Sequence, residues 1–573
     1  MIAAHKNVRI LLSLLKQNNI RHIVISPGSR NIPLVKSVED DPFFTCYSVV
    51  DERSAAYFAV GLTLEVRNPV VITSTSGQAT RNYIPGMTEA YYRKAPVLTV
   101  TTDYDDNYTG QMNMQSVRQM TMPADATNLS VDVPIIKDKL DEHLATRRIN
   151  QALDSLKSRG GGPAHINLRI NEHWVAGDDI LETARTITRH MPLDTEWPVI
   201  GGKRVLVLVG QHHPFSQKEV DAMEAFARSH DAVFYVNHIS NYHGYKSVHG
   251  NLLLTSGGCE ELLPDLVITI GGHLGDYPVD GYLKRSGVEH WRVSEDGLYA
   301  DSYNSMTRIF ECPESYFFER MATPAPMDTS PYLDAWENAI SECVMPEDFV
   351  LSHALVAKHL SPLIPDNANL HFGILSSLRF WEFYQLNPSI RSYSNVAGFG
   401  IDGDVSTFLG QTVASSRMNF LIVGDLAFFY DMNSIGIRHI GKNVRILLVN
   451  NGGGGEFRVK THSANKFGDS SNRHIAAGGH FGGSAEGWVR NNNFDYLSVR
   501  SIDQLSSAIQ EFLKDSERPV LMEVFTTMAD DSECLQMIIE ANDRTPQSEK
   551  LKQAIKANIP VGLKSGIKKL IGR

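Results

Sequence analysis

The 573-residue chain is too long for a single hydrophobic core and implies roughly three or four domains. With 42% apolar and 21% charged residues it has the balance of an ordinary globular protein. A net charge of −11 argues against a general role on nucleic acid or on an anionic membrane surface.

Five scattered cysteines, Cys46, Cys259, Cys312, Cys343 and Cys534, form no CxxC pair. That argues against a disulfide framework or a zinc site and fits a reducing compartment. Lys6, Arg9 and Lys16 interrupt the apolar run at the N-terminus, which therefore lacks the pattern of a secretory signal. No run of about 18 apolar residues offers a membrane span. A cytoplasmic enzyme or binding protein is the expectation.

Short β-branched runs alternate with segments of helical period. HIVIS (22–26), VVITST (70–75), APVLTVTT (95–102) and AHINLRI (164–170) read as buried strands, with helices at SAAYFAVGLTLEV and YIPGMTEAYYRK between them. A second series runs through RVLVLVG (204–210), AVFYVN (232–237), DLVITIGG (265–272) and HWRVS (290–294). A third runs through NLHFG (369–373), SYSN (392–395), NFLIVGD (419–425), RILLVNN (445–451) and VLMEVFT (520–526). Such alternation predicts parallel α/β sheets. Linkers are expected at 188–202 and 323–332, which are rich in Pro, Gly and polar residues. The fold class is thus α/β, with three parallel-sheet domains at 1–187, 200–325 and 345–545. A basic tail follows at 546–573, read either as a surface-docking amphipathic segment or as a frayed, solvated end.

The chemistry-bearing pattern is densest in the third series. One apolar strand ends in Gly424-Asp425, and about 25 residues later another ends in Asn450-Asn451, followed by Gly452 to Gly455. In a parallel sheet both ends lie on one carboxyl edge, where ligands bind. A carboxylate, an amide oxygen and a free glycine carbonyl are hard oxygen ligands suited to Mg2+ shared with a phosphate. Glycines let the backbone approach a diphosphate closely. Three weaker signals also follow strands. They are Asp51-Glu52-Arg53-Ser54-Ala55-Ala56, which also reads as an acidic helix start, Ser26-Pro27-Gly28-Ser29-Arg30, and Thr75-Ser76-Gly77-Gln78. His238, His243, His249 and the pair His212-His213 match no metal-ligand spacing and read as solvated or capping side chains.

ISPGSRNIPL, VVDERSAAYFAVGL, TSGQATRNYIP, GQMNMQSVRQ, GPAHINL, SNVAGFGIDG and GDLAFFYDMN…VNNGGGGEF occur in this order. Together they resemble the thiamine-diphosphate enzymes of menaquinone biosynthesis, the 2-succinyl-5-enolpyruvyl-6-hydroxy-3-cyclohexene-1-carboxylate synthases. The resemblance covers the first and third domains well and the middle one weakly. It implies a pyrimidine-binding, a middle and a diphosphate-binding domain, with thiamine diphosphate and Mg2+ as cofactors. The implied reaction is decarboxylation of a 2-oxo acid and ligation of the acyl anion to an acceptor. The alternatives are a simple non-oxidative decarboxylase and a non-catalytic cofactor-binding protein.

Carried over residue by residue, the resemblance makes Glu52 the group that protonates the aminopyrimidine ring and Ile401 the apolar wedge that bends the cofactor. It makes Asp425, Asn451 and the Gly453 carbonyl the Mg2+ ligands, with Gly77 and Gly424 beside the cofactor. Ser29, Arg30, Gln115, Arg379 and Phe457 become substrate-pocket residues. It further implies a homodimer or homotetramer with active sites between subunits. The middle domain shows no G-x-G-x-x-G, so a colourless protein without flavin is expected.

Some positions depart from the family pattern. Tyr104 and Val396 stand where the family has arginines that help hold substrate carboxylates, Leu375 where it has serine, with Ser376 and Ser377 beside it, and Glu456 where it has an aliphatic residue. New cations appear at Arg81, Arg458 and Lys460. The expectation is an altered substrate pocket that uses 2-oxoglutarate and isochorismate poorly.

Overall fold

The computed structural model describes residues 1–545 except 172, 276, 325, 326, 328 and 480–482, with the side chain of Arg285 also left aside. The basic tail expected at 546–573 lies outside the described residues. Contacts group the chain into two compact units: Met1–Trp197 with Glu295–Cys312, and Pro198–Ser294 with the chain from Pro313 onward.

The first unit is built on β1 (His22–Ile25), β2 (Thr45–Ser48), β3 (Val70–Ser74), β4 (Val97–Asp103), β5 (Leu129–Val133) and β6 (Ala164–Arg169). All pairs are parallel and the order is β2-β1-β3-β4-β6-β5. Alternate residues serve opposite faces, as the two-residue period of a strand dictates. Ile23, Val71, Leu98 and Val100 face the N-terminal helix at Leu11 and Leu15. Val24, Val70, Ile72 and Val97 face Ala55, Ala56 and Ala59. The helix Glu52–Val66 needs small residues there because Gly86 of the helix Ile84–Arg93 crosses against Ala56; a Cβ on Gly86 would collide with the Ala56 methyl. β7 (Thr188–His190) lies in the segment expected to be a linker. It is strand because it pairs, in parallel, with a residue run from later in the same unit, Met306–Phe310.

The second unit carries two sheets. In one, β8 (Val205–Val209), β9 (Ala232–Tyr235), β10 (Ser247–Val248), β11 (Leu266–Ile270) and β12 (Glu289–Val293) pair in parallel in the order β10-β9-β8-β11-β12. With Met306–Phe310 counted as β13, the other sheet comprises β14 (Asn369–Phe372), β15 (Arg391–Ser394), β16 (Asn419–Gly424), β17 (Val444–Asn450), β18 (Asp495–Val499) and β19 (Val520–Phe525). Its order is β15-β14-β16-β17-β19-β18. Leu370, Phe420, Ile422, Leu447 and Val449 supply one of its cores, and Leu421, Val423, Ile446 and Leu448 the other.

Numbered from their own first strands, the first and last sheets have the same order, 2-1-3-4-6-5. Each therefore has one topological switch point, between its first and third strands, where successive connections leave in opposite directions and open a crevice at the carboxyl edge. Among the described residues, no helix is long and apolar enough to cross a membrane.

Candidate active site

In the last sheet the switch point lies between β14 and β16. β16 runs out at Gly424, and Asp425 begins the short helix Asp425–Tyr430. Asp425 is only 5% exposed, and its Oδ1 accepts the Leu426 N–H at 2.8 Å. Burial lifts its carboxyl from 3.8 to about 6, although backbone donors at Leu426, Gly452 and Gly453 oppose the rise. At the end of the neighbouring β17, Asn450 turns inward and donates to Glu523 Oε1 at 2.7 Å and to the Gly483 carbonyl at 3.1 Å.

Asn451 behaves differently. Its Nδ2 donates to Asp531 Oδ2 at 2.9 Å. An ionised carboxylate can only accept, so this contact fixes which end of the amide carries nitrogen, and Oδ1 accepts the Gly453 N–H at 3.3 Å. Asp531 is itself anchored, accepting from the His353 N–H at 2.7 Å and the Thr526 hydroxyl at 3.2 Å. Gly453 has no room for a side chain: a Cβ there would stand 2.8 Å from the Ala476 carbonyl oxygen.

A cavity of about 400 Å3 has Asp425, Asn451, Gly452, Ser484, Arg500 and Thr526 in its wall; Gly453 follows Gly452 in the chain. The Arg500 guanidinium lies 3.6 Å from the centroid of the Phe525 ring, a cation–π stack at the cavity. A buried carboxylate, an oriented amide oxygen, a glycine cradle and one cation fit a Mg2+ ion bridging to a diphosphate.

The loop after β14 brings up the second group of residues. Leu375 has φ +65° and ψ −119°, a region costly for a branched side chain, on the order of 1–3 kcal/mol. It heads the helix Ser376–Trp381, which carries Arg379. Arg379 is not free: Nη1 donates to Glu456 Oε2 at 2.8 Å and Nη2 to Oε1 at 3.1 Å. Phe457, the next residue, packs edge-on to His462 with ring centroids 5.2 Å apart. Ile401 is half-buried and touches the cores on both faces of the sheet.

Val396 does not line an opening. It is 1% exposed and packs in the core on Gly275, whose Cβ position would fall 2.8 Å from Val396 Cγ1. Each new cation is already engaged: Arg458 with Asp469 at 3.1 Å, Lys460 with Glu540 at 3.6 Å, and Arg81 with the Arg118 carbonyl at 2.6 Å.

In the first unit the switch point lies between β1 and β3, and the Ser26–Arg30 and Thr75–Gln78 segments follow those strands. Ser29 opens the turn Ser29–Asn31. Arg30 is buried, donates to the Ile170 carbonyl at 2.7 Å and stacks 3.5 Å from the Tyr104 ring centroid. The residue standing in for a family arginine thus covers the other arginine's face. Gly77 abuts Gln115, and its N–H donates to Gln119 Oε1 at 2.9 Å. Gln119 is fully buried and reaches on to Asn167 at 3.0 Å. Asp51 caps the helix through Arg53 N–H and the Ser54 hydroxyl. Glu52 is thereby left to accept from Asn82 Nδ2 at 3.1 Å. Asp51 is the cap and Glu52 the acidic residue of the helix's first turn.

His213 and His243 are exposed, as the sequence suggests, but His238 and His249 differ from that expectation. His238 is 3% exposed and its Nε2 lies 2.9 Å from the Trp381 carbonyl oxygen. Burial holds it neutral, down to about 3, and His249 down to about 4. They are core residues where the second unit's two sheets meet, not solvated ones. Their spacing predicted no cluster, yet ligand-type atoms of His238, His249 and Glu382 lie within 4.8 Å of one another.

Known proteins resemble this chain over most of its length. The family described as "Thiamine pyrophosphate enzyme, N-terminal TPP binding domain" matches residues 6–122. A 2-succinyl-5-enolpyruvyl-6-hydroxy-3-cyclohexene-1-carboxylate synthase of Bacteroides fragilis is 33% identical over 93% of this chain and 98% of its own length. The same-named protein of Phocaeicola vulgatus is 32% identical over the same shares. That of Flavobacterium johnsoniae is 27% identical over 90% of this chain and 95% of its own.

Proposed function

Since this chain belongs to the family of 2-succinyl-5-enolpyruvyl-6-hydroxy-3-cyclohexene-1-carboxylate synthases, which are thiamine-diphosphate enzymes, we propose that it decarboxylates a 2-oxo acid and transfers the remaining acyl unit to an acceptor. Mg2+ is held by Asp425, Asn451 and the Gly453 carbonyl. The observation that carries this reading is the convergence of Asp425 and Asn451 on one cavity from adjacent strand ends, with Asn451 turned by Asp531.

Thiamine diphosphate, when bound, would supply the electron sink that the loss of CO2 needs. The chain's own residues bind and orient. Asp425 and Asn451 give oxygen ligands; Gly424 and Gly452 keep the wall low; Arg500 faces the diphosphate. Glu52 holds a proton at a pyrimidine ring nitrogen, and Gly77 and Ile401 shape the space for the rings. Ser29, Arg30 and Gln115 in the first unit, and Arg379 and Phe457 in the second, are the positions that would contact substrate. Substrate contacts are altered relative to the family: Tyr104 and Val396 leave two fewer arginines, and the remaining two are internally engaged.

Three domains, at 1–187, 200–325 and 345–545, are part of the reading, with the strand Thr188–His190 falling between the first two ranges. A homodimer is part of the reading. The helix Glu52–Val66 exposes Tyr57, Phe58 and Leu64, and Val50 just before it is 72% exposed. An apolar patch of this kind beside Glu52 supports burial against a second copy.

Titration with thiamine diphosphate and Mg2+, followed by product analysis with and without acceptors, tests the reading. Metal-dependent binding and an acceptor-derived product support it; aldehyde alone points to a simple decarboxylase.

A further inference from the structure

Arg379 and Glu456 form a two-pronged ion pair, with both terminal guanidinium nitrogens on both carboxylate oxygens at 2.8 and 3.1 Å. Parallel N–H···O pairs are the strongest geometry these side chains reach. The side chains are 14% and 18% exposed, so water screens the pair weakly. The surroundings hold it in place. Arg379 rides on the short helix headed by the strained Leu375, and its own N–H donates to the Leu375 carbonyl at 2.8 Å. Glu456 sits in the turn Gly455–Arg458, five residues after Asn451. Tyr277 lies close enough to feel both charges.

The chemical consequence is charge neutrality. An arginine in a substrate pocket ordinarily offers a carboxylate two donors and a full positive charge. Here one N–H of each terminal nitrogen is taken by Glu456, and the carboxylate offsets the charge. A second carboxylate brought to Arg379 would have to displace Glu456 or lie against it as a like charge. An uncharged group meets neither obstacle.

We propose that Glu456 is a specificity-determining residue: by pairing with Arg379 it selects a 2-oxo acid with an uncharged side chain over one bearing a second carboxylate. The inference rests on the reading above that this is a 2-oxo acid site. Arg30, capped by the Ile170 carbonyl and the Tyr104 ring, shows the same internal engagement independently.

The test compares the full-length protein with Glu456→Gln, which keeps the shape and removes the charge. CO2 release from 2-oxobutyrate and from 2-oxoglutarate is measured with thiamine diphosphate and Mg2+. The parent should favour 2-oxobutyrate in kcat/KM by about tenfold or more. Glu456→Gln should move the ratio toward 2-oxoglutarate by about tenfold, mostly through KM, and adding Arg379→Gln should cancel that gain. A ratio unmoved by Glu456→Gln, or a parent that already prefers 2-oxoglutarate, overturns the proposal. If neither protein releases CO2 from either acid, the 2-oxo acid reading has failed. Calorimetric titration with glutarate and butyrate then still decides the role of Glu456: glutarate binding tightened about tenfold in the variant supports it, and equal binding overturns it.

Discussion

Asn451 and Asp531 meet at 2.9 Å, 80 residues apart in the chain, and the contact decides which end of the Asn451 amide faces the cavity. A ligating side chain is only as good as the group that orients it. Asp531 is 4% exposed and is held on its other side by the His353 N–H.

Replacing Asp531 by Ala should therefore weaken Mg2+-dependent cofactor binding by about 10–100-fold while the protein stays folded. The check is calorimetric titration with thiamine diphosphate at fixed Mg2+, with circular dichroism as the folding control. Unchanged affinity in a folded variant would show that Asn451 needs no such support.

Arg500 is exposed and stacks on Phe525 at the mouth of the same cavity. Arg500→Ala should lower cofactor affinity, and the difference from the parent should shrink as salt is raised, because an exposed charge is screened. A loss of equal size at low and high salt would mean that packing, not charge, was removed.

The outer frame of this account is legible in the sequence. The apolar runs at 22–26, 70–75, 419–425 and 445–451 are strands because residues of both parities are buried, and such runs need no long-range information to recognise. Asp425 and Asn451 follow from them, since a carboxyl strand end is a ligand edge. The short strands Thr45–Ser48 and Asp495–Val499 are not legible, being partly exposed edge strands without a continuous apolar run. Nothing around Asp531, in the helix Met528–Asn542, marks it as the partner of Asn451. Glu456 stood out as an acid in an aliphatic position, but its partner lies 77 residues earlier and only the fold brings them together. Val396, at a position where the family has a carboxylate-holding arginine, is buried against Gly275, which its own sequence neighbours do not announce.

Asp404 gives a pH dependence. It is fully buried, and among the described residues neither carboxylate oxygen has a partner in hydrogen-bond geometry, the nearby Ile374 N–H included. Burial, then Asp431 and Asp402, raise its carboxyl from 3.8 to about 8. Between those values the folded state holds a proton that the unfolded state has released, so stability falls as pH rises. Thermal midpoints of the parent should drop from about pH 5 to about pH 8, and Asp404→Asn should flatten that decline. Parallel curves for the two proteins would remove Asp404 from the explanation.

Glu52→Gln should retain the fold and bind the cofactor, yet slow exchange of the thiazolium ring proton by about 10²–10⁴-fold, the usual contribution of a positioned acid or base. Proton exchange followed by NMR after acid quench reads this directly. A rate equal to the parent's would assign the proton to another group.

The central claim is that a thiamine-diphosphate site here works on a 2-oxo acid, and CO2 release is its most direct reading. A panel of 2-oxo acids is incubated with the protein, thiamine diphosphate and Mg2+. CO2 is expected from at least one acid, and it should be lost on removal of Mg2+ and in Asp425→Ala. Tight cofactor binding with no CO2 from any acid in the panel, with or without acceptors, would contradict it.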